Sequence, residues 1–165
     1  MDELDIEKCL SEDFHARKVF KGTWPCNIYP RINYKLNTPS AYIVNLDNSE
    51  QEGSHWVALY VTNNFTYFFD TYARNPDSFN IHIQKYIRHV ARSNCVKYIS
   101  GKPLQLKTSS VCGFYCIFFI ICLANDITFE DFINIFTNCE VENDSFICKL
   151  IKNMLHFISV PCNIY

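Results

Sequence analysis

Glycine and proline are scarce in this 165-residue chain, four and six residues, and neither is clustered. No stretch therefore reads as a flexible linker, and no internal repeat or low-complexity tract breaks the chain. The start carries no charged segment followed by an apolar run and a small-residue cleavage site, so the expectation is a protein that is not secreted. No apolar run reaches the roughly 20 residues that cross a bilayer. The longest, CGFYCIFFIICLA at 112–124, has thirteen. No CxxC pair exists, and Cys112/Cys116 lacks a second pair at a zinc-binding distance, which argues against a metal site. Acids are missing from residue 78 to residue 125, while Lys85, Arg88, Arg92, Lys97, Lys102 and Lys107 all fall there.

What is present belongs to a folded globule. Apolar residues make up 48 % and aromatics 16 % of the chain, enough for one domain over residues 1–165. The net charge is −2, with six of the seventeen acids in the first thirteen residues. The basic stretch reads as a solvated face or as a stripe for an anionic partner such as nucleic acid. Nine cysteines, an odd count without a leader, point to a reducing compartment and mostly free thiols. Asn64-Phe65-Thr66 and Asn143-Asp144-Ser145 fit a glycosylation pattern that has no meaning without secretion.

The patterning predicts a short acidic helix over 2–10, and an irregular packed segment over 20–40 around Pro25, Pro30 and Pro39. A β-run follows over 41–46, then alternating runs over 55–61 and 65–70 joined by Thr62-Asn63-Asn64, a hairpin signal. Apolar residues at Phe79, Ile83, Tyr86, Ile87 and Val90 predict a helix over 78–92. A strand over 95–99, a buried helix over 112–124 and helices over 129–136 and 145–158 complete an α+β layout. In it, a mixed central β-sheet packs against helices, and the buried central helix carries Cys112 at its N-terminus.

Cysteine-protease chemistry needs a thiolate, an imidazole that takes and returns a proton, a group that fixes the imidazole, and donors for the oxyanion. Cys112 sits where the polar Lys107-Thr108-Ser109-Ser110 gives way to the apolar helix, where backbone N–H groups and the dipole stabilise a thiolate. His55 opens a strand after a polar turn, and Asp70 ends the strand expected to pair with it. Gln105, seven residues before Cys112, offers an amide to the oxyanion beside the Cys112 N–H. Cys116 and Cys122 read as core residues. His15, His82, His89 and His156 read as surface or core-edge residues.

Taken in order, Gly53-Ser54-His55-Trp56, Phe69-Asp70, Gln105 and Val111-Cys112-Gly113-Phe114 resemble the adenovirus protease (adenain) family, which shares a clan with the SUMO-specific, Ulp-type proteases. The order His, acid, Gln, Cys is that of the clan and the reverse of papain. Phe20-Lys21-Gly22-Thr23 and Ala41-Tyr42-Ile43-Val44-Asn45 also look like adenain segments, and the seven-residue step from Gln105 to Cys112 suits adenains. The resemblance runs from about Phe20 to Ile121, and the C-terminal third is shorter than in adenains.

The resemblance implies an adenain-like fold and cleavage of viral precursor proteins during virion maturation, at Gly-Gly or Gly-X sites, in the virion and host nucleus. It further implies activation by a short viral peptide disulfide-bonded to the enzyme, and by DNA, here along residues 78–107, with no metal or small-molecule cofactor. Cys95, ten residues before Gln105, stands within one residue of where adenains couple the peptide; its other reading is an ordinary strand cysteine. A monomer without membrane contact is expected. Two other readings stay open: an isopeptidase acting on a ubiquitin-like modifier, and an inactive binding module that kept the fold.

Overall fold

The computed structural model describes residues 1–32 and 39–154. Helix α1 (Glu3–Glu12) starts with a reciprocal cap: Asp2 accepts the Asp5 N–H at 2.9 Å, and the Asp5 carboxylate accepts the Asp2 N–H. Asp13 then accepts the N–H groups of His15 and Ala16 and opens the single turn α2 (Ala16–Val19). Five strands follow: β1 (Phe20–Pro25), β2 (Ser40–Asn45), β3 (Trp56–Val61), β4 (Phe65–Phe69) and β5 (Cys95–Tyr98), ordered β1-β2-β3-β4-β5 across one sheet. The inner pairs β2–β3 and β3–β4 are antiparallel, and both edge strands run parallel to their neighbours.

The hairpin read from the alternation is β3–β4. Its turn is closed by the Thr62 N–H donating to Phe65 O at 2.8 Å. The segment read as irregular over 20–40 needs a correction: its first six residues are strand β1, the sheet edge beside β2. Gly22 (φ +126°) sits in the irregular register between Phe20 and Thr23, and Pro25 ends the strand. A strand whose partner lies about twenty residues ahead leaves no local turn signal. The latter part of that segment, residues 33–38, lies outside the described residues.

Because successive strand residues face opposite ways, the sheet has two apolar faces. Ala41, Ile43, Ala58, Tyr60 and Phe69 pack with α1, α5 (Phe129–Asn134), α6 (Glu140–Met154) and the central α4 (Cys112–Ala124). Tyr42, Val44, Val57, Leu59 and Phe68 pack against α3 (Ile81–Ala91), which presents Ile83, Tyr86, Ile87 and Val90. Asn80 caps α3 by accepting from the N–H groups of His82 and Ile83.

Helix α4 is buried almost all round, as a helix apolar on every side must be. Phe119 stacks on Phe69 at 4.9 Å and meets Phe132 edge-on at 5.3 Å. Among the described residues no helix is long and apolar enough to cross a membrane. Helix α6 begins at Glu140, five residues before the sequence-predicted start, with Glu140 and Glu142 in the first turn where the dipole favours acids. The predicted end of that helix past Met154 lies outside the described residues, as do His156 and Cys162.

Candidate active site

His55 is delivered to the lip of the sheet by a braced loop. Asn45 Oδ1 accepts the N–H groups of Asp47 and Ser54, and the Leu46 N–H donates to His55 O at 2.9 Å. Gly53 (φ +91°) lies so close to Asn45 that an added Cβ would stand 2.6 Å from Asn45 Nδ2. Only glycine fits that turn.

The antiparallel β3–β4 register brings the start of β3 beside the residue that follows β4. That residue is Asp70, and His55 Nε2 donates to its Oδ1 at 2.7 Å, with both side chains buried. The chain then turns sharply, with the Ala73 N–H on Asp70 O and Ala73 left-handed at φ +52°. This turn folds Arg74 back so that Nε meets Asp70 Oδ2 at 2.7 Å, Nη2 meets Oδ1 at 3.1 Å, and the Arg74 N–H reaches Oδ2 at 3.2 Å. The guanidinium also lies 4.5 Å from the Phe79 ring centre. Tyr72 stacks on the His55 ring at 4.9 Å, tilted by 25°.

Cys112 opens α4 behind Val111, whose side chain does not cap the helix. The His55 ring and the backbone N–H groups of Trp56 and Gly113 lie near enough to its sulfur to favour the thiolate form. With Nε2 engaged by Asp70, the ring nitrogen left for the thiol is Nδ1. Burial alone would lift the Cys112 thiol; the histidine bond and charge outweigh it and lower the thiol below its ordinary value. Burial likewise opposes a charged His55, but its bonds to Asp70 and Cys112 raise the imidazole to about 9. Asp70, buried yet bonded to His55 and Arg74, falls to about 2. A lowered thiol beside a raised imidazole is the pair of shifts that a thiolate–imidazolium couple requires. Cys116 and Cys122 behave oppositely, burial pushing Cys116 well up and Cys122 to about 12.

Gln105 lies in the loop before α4 and is buried. Thr71, the neighbour of Asp70, donates its hydroxyl to Gln105 Oε1 at 2.7 Å, and Gln105 Nε2 donates to Ser109 O at 2.9 Å. These partners fix which way the amide faces and leave one N–H of Nε2 over. The Leu104 N–H on Thr71 O ties the same two loops together at 2.8 Å.

The structure thus brings His55, Asp70 and Cys112 together, with Asp70 bonded to His55 and its neighbour Thr71 bonded to Gln105. Cys95 stands apart. It is exposed at the start of edge strand β5, opposite Phe65, five residues or about 16 Å along β4 from Asp70. Roles for Arg74, Tyr72 and Thr71 escaped the sequence reading, although Thr71-Tyr72 directly follows the nominated Asp70. Among the described residues no cluster of three or more His, Cys, Asp or Glu is placed to hold a metal.

The chain matches the adenovirus endoprotease family over residues 20–147. It is 29 % identical over 130 residues to a protease of Bovine adenovirus 7, covering 73 % of this chain and 61 % of that one. It is 34 % identical over 154 residues to a protein of Acanthamoeba polyphaga mimivirus whose name assigns it by inference to the thiol proteases (R355), covering 81 % of this chain and 51 % of that one. The chain therefore spans between half and two thirds of the length of these relatives. Among solved structures it is similar to the African swine fever virus pS273R protease (TM-score 0.49, 19 % identity, 74 % of this chain and 45 % of that one). It is also similar to ChlaDub1 of Chlamydia trachomatis (TM-score 0.47, 18 % identity, 75 % and 64 %). By the family match, which takes in His55, Asp70, Gln105 and Cys112 alike, this chain belongs to the adenovirus endoprotease family of viral cysteine proteases.

Proposed function

We propose that the chain is a cysteine endopeptidase whose nucleophile is Cys112, with His55 as general base and acid, Asp70 as the group that orients it, and Gln105 as an oxyanion donor. One observation carries this reading: the bonded run Arg74–Asp70–His55, in which a buried carboxylate holds Nε2 and leaves Nδ1 to the Cys112 sulfur beside it.

The Cys112 thiolate attacks the scissile carbonyl carbon, forming the C–S bond as the carbonyl electrons move to oxygen. The Gln105 Nε2–H and the Cys112 N–H receive that oxyanion. As the C–N bond breaks, His55 Nδ1 gives its proton to the leaving amine. Water then attacks the thioester, giving its proton to His55, and the carboxylic acid departs with the thiolate restored.

The substrates under this proposal are viral precursor proteins cut at Gly-Gly or Gly-X sites during particle maturation, by a monomeric domain spanning residues 1–165 that works in the virion and host nucleus. The family match supports this class of substrate. A disulfide-linked activating peptide at Cys95 belongs to the same proposal, supported by the exposed thiol on an open strand edge that a peptide could extend. So does DNA along the acid-free stretch 78–107, where Lys85, Arg88 and Lys107 are exposed.

The test is hydrolysis of a Gly-Gly-X fluorogenic peptide by wild type and Cys112→Ala. Turnover lost with the thiol is expected; turnover that survives Cys112→Ala would overturn the nucleophile assignment. No turnover by wild type, with or without candidate peptide and DNA, would favour the inactive module. Preference for an intact ubiquitin-like conjugate over the peptide would favour the isopeptidase. Mass spectrometry under oxidising conditions should find the peptide adduct on Cys95. Stimulation by duplex DNA should decline as salt rises.

A further inference from the structure

The site described so far does not explain the most deeply buried carboxylate on α6. Asp144 is 0 % exposed and its neighbour Asn143 2 %. An ionisable side chain buried this fully, with no cation bonded to it among the described residues, costs free energy unless its hydrogen bonds repay it. Its Oδ1 accepts the Tyr115 hydroxyl at 2.8 Å and its Oδ2 accepts the Leu106 N–H at 3.3 Å, while the nearby Ser109 hydroxyl donates to Leu106 O at 3.1 Å.

Asn143 grips the same loop from one residue away. Its Nδ2 donates to Leu104 O at 3.2 Å and to Thr137 O at 3.1 Å, while its Oδ1 accepts the Thr137 N–H at 2.8 Å. Tyr115 Oη also lies 3.1 Å from Leu104 O.

These partners are not scattered. Leu104, Leu106 and Ser109 bracket Gln105, and Ser109 O is the acceptor that fixes the Gln105 amide. Tyr115 lies on α4 one turn after Cys112. The carboxylate thus joins the loop that carries the oxyanion donor to the helix that carries the nucleophile. We propose that Asp144, with Asn143 and Tyr115, is a positioning residue that sets the distance and angle between the Gln105 amide and the Cys112 sulfur. It touches neither substrate nor thiol and acts only through the loop. This inference rests on the reading of Gln105 as an oxyanion donor.

Two reactions of the same enzyme separate positioning from stability. Peptide hydrolysis passes through an oxyanion, whereas alkylation of Cys112 by iodoacetamide does not. In Tyr115→Phe and Asp144→Asn we expect kcat to fall about 10- to 100-fold, short of or near the ~10²–10³ that follows loss of a whole oxyanion donor. KM and the Cys112 alkylation rate should stay within about twofold of wild type, since the thiolate–imidazolium pair is untouched. Gln105→Ala should show the same split, and adding Tyr115→Phe to it should lower kcat little further.

If Gln105→Ala keeps wild-type kcat, the oxyanion reading itself fails. If Gln105→Ala loses kcat while Tyr115→Phe does not, or the two losses multiply in the double variant, the positioning role fails and the oxyanion reading stands. A parallel fall in alkylation and hydrolysis would also overturn it, because that is the mark of general disorder. Should Asp144→Asn not fold, Tyr115→Phe, which removes one hydroxyl and keeps the ring, decides the matter.

Discussion

Replacing Arg74 by methionine keeps an apolar stem of similar reach and removes the guanidinium fork on Asp70. Four interactions go: the 2.7 Å and 3.1 Å bonds to the two carboxylate oxygens and the cation held 4.5 Å from the Phe79 ring and 5.3 Å from the Tyr72 ring. Bonds to a charged group contribute about 1.5–3 kcal/mol each, and breaking a fully buried pair costs about 3–5 kcal/mol. The Arg74 side chain is 39 % exposed and Asp70 keeps His55, so the low end applies, about 2–3 kcal/mol. At about 2–4 °C per kcal/mol for a chain of this size, Tm should drop by about 5–10 °C.

The loss should also reach the chemistry. Asp70, with one of its two bonded cations gone, rises from about 2 toward its ordinary value and holds His55 less firmly. A lowered carboxyl contributes stability that is present above about pH 4 and disappears as pH falls toward 2. Acid unfolding of Arg74→Met should therefore begin at higher pH than in wild type. We expect kcat/KM for a Gly-Gly-X peptide to fall about tenfold, equivalent to about 1.4 kcal/mol, mostly in kcat. Arg74→Lys, which keeps charge without the fork, should lie between. Calorimetry and steady-state kinetics at pH 7 make the check. A Tm within about 1 °C of wild type with unchanged kcat/KM would refute the reasoning.

Four further outcomes are expected. The kcat/KM profile should lose activity as pH rises through about 9, where His55 gives up its proton, and on the acid side as the Cys112 sulfur is reprotonated. Because His55 is raised from 6.5, the stability it contributes is complete below about pH 6.5 and lost as pH passes 9, which thermal melts in a pH series would record. Gly53→Ala should lower both Tm and kcat, since its Cβ would press on Asn45 at 2.6 Å and a φ of +91° is strained for alanine; an unchanged melt would contradict this. Phe119→Ala, emptying the stack between Phe69 and Phe132, should destabilise by about 3–5 kcal/mol in urea unfolding.

The parts of this molecule written in local chemistry were legible in the sequence. The β3–β4 hairpin shows as two alternating runs around Thr62-Asn63-Asn64, and α4 as an apolar run too short to span a bilayer. Their ends carry His55, Asp70 and Cys112, and so the order of residues brought the candidate site with it. What stayed hidden depends on contacts between distant segments or on single backbone angles. Strand β1 pairs in parallel with β2 and leaves no turn to read. Arg74 reaches Asp70 only because Ala73 adopts a left-handed conformation, which alanine does not advertise. Asn143-Asp144-Ser145 reads as a glycosylation pattern of no consequence, yet Asn143 and Asp144 are buried against the Gln105 loop. Cys95 was legible as a strand cysteine; its exposure and its distance from the His55 cluster follow from its place on edge strand β5 and the β4–β5 register.

The central claim is that Cys112 is a thiolate at neutral pH because His55 holds it so, and alkylation kinetics followed by peptide mapping test it directly. An ordinary thiol near pKa 8.5 is about 1 % ionised at pH 6.5, so a thiolate already formed there should react about a hundredfold faster. Iodoacetamide should therefore label Cys112 first at pH 6.5, at a rate that falls by about two orders of magnitude in His55→Ala. A rate that climbs only as pH approaches 9 and is the same in both proteins, or preferential labelling of another buried cysteine, would contradict the account.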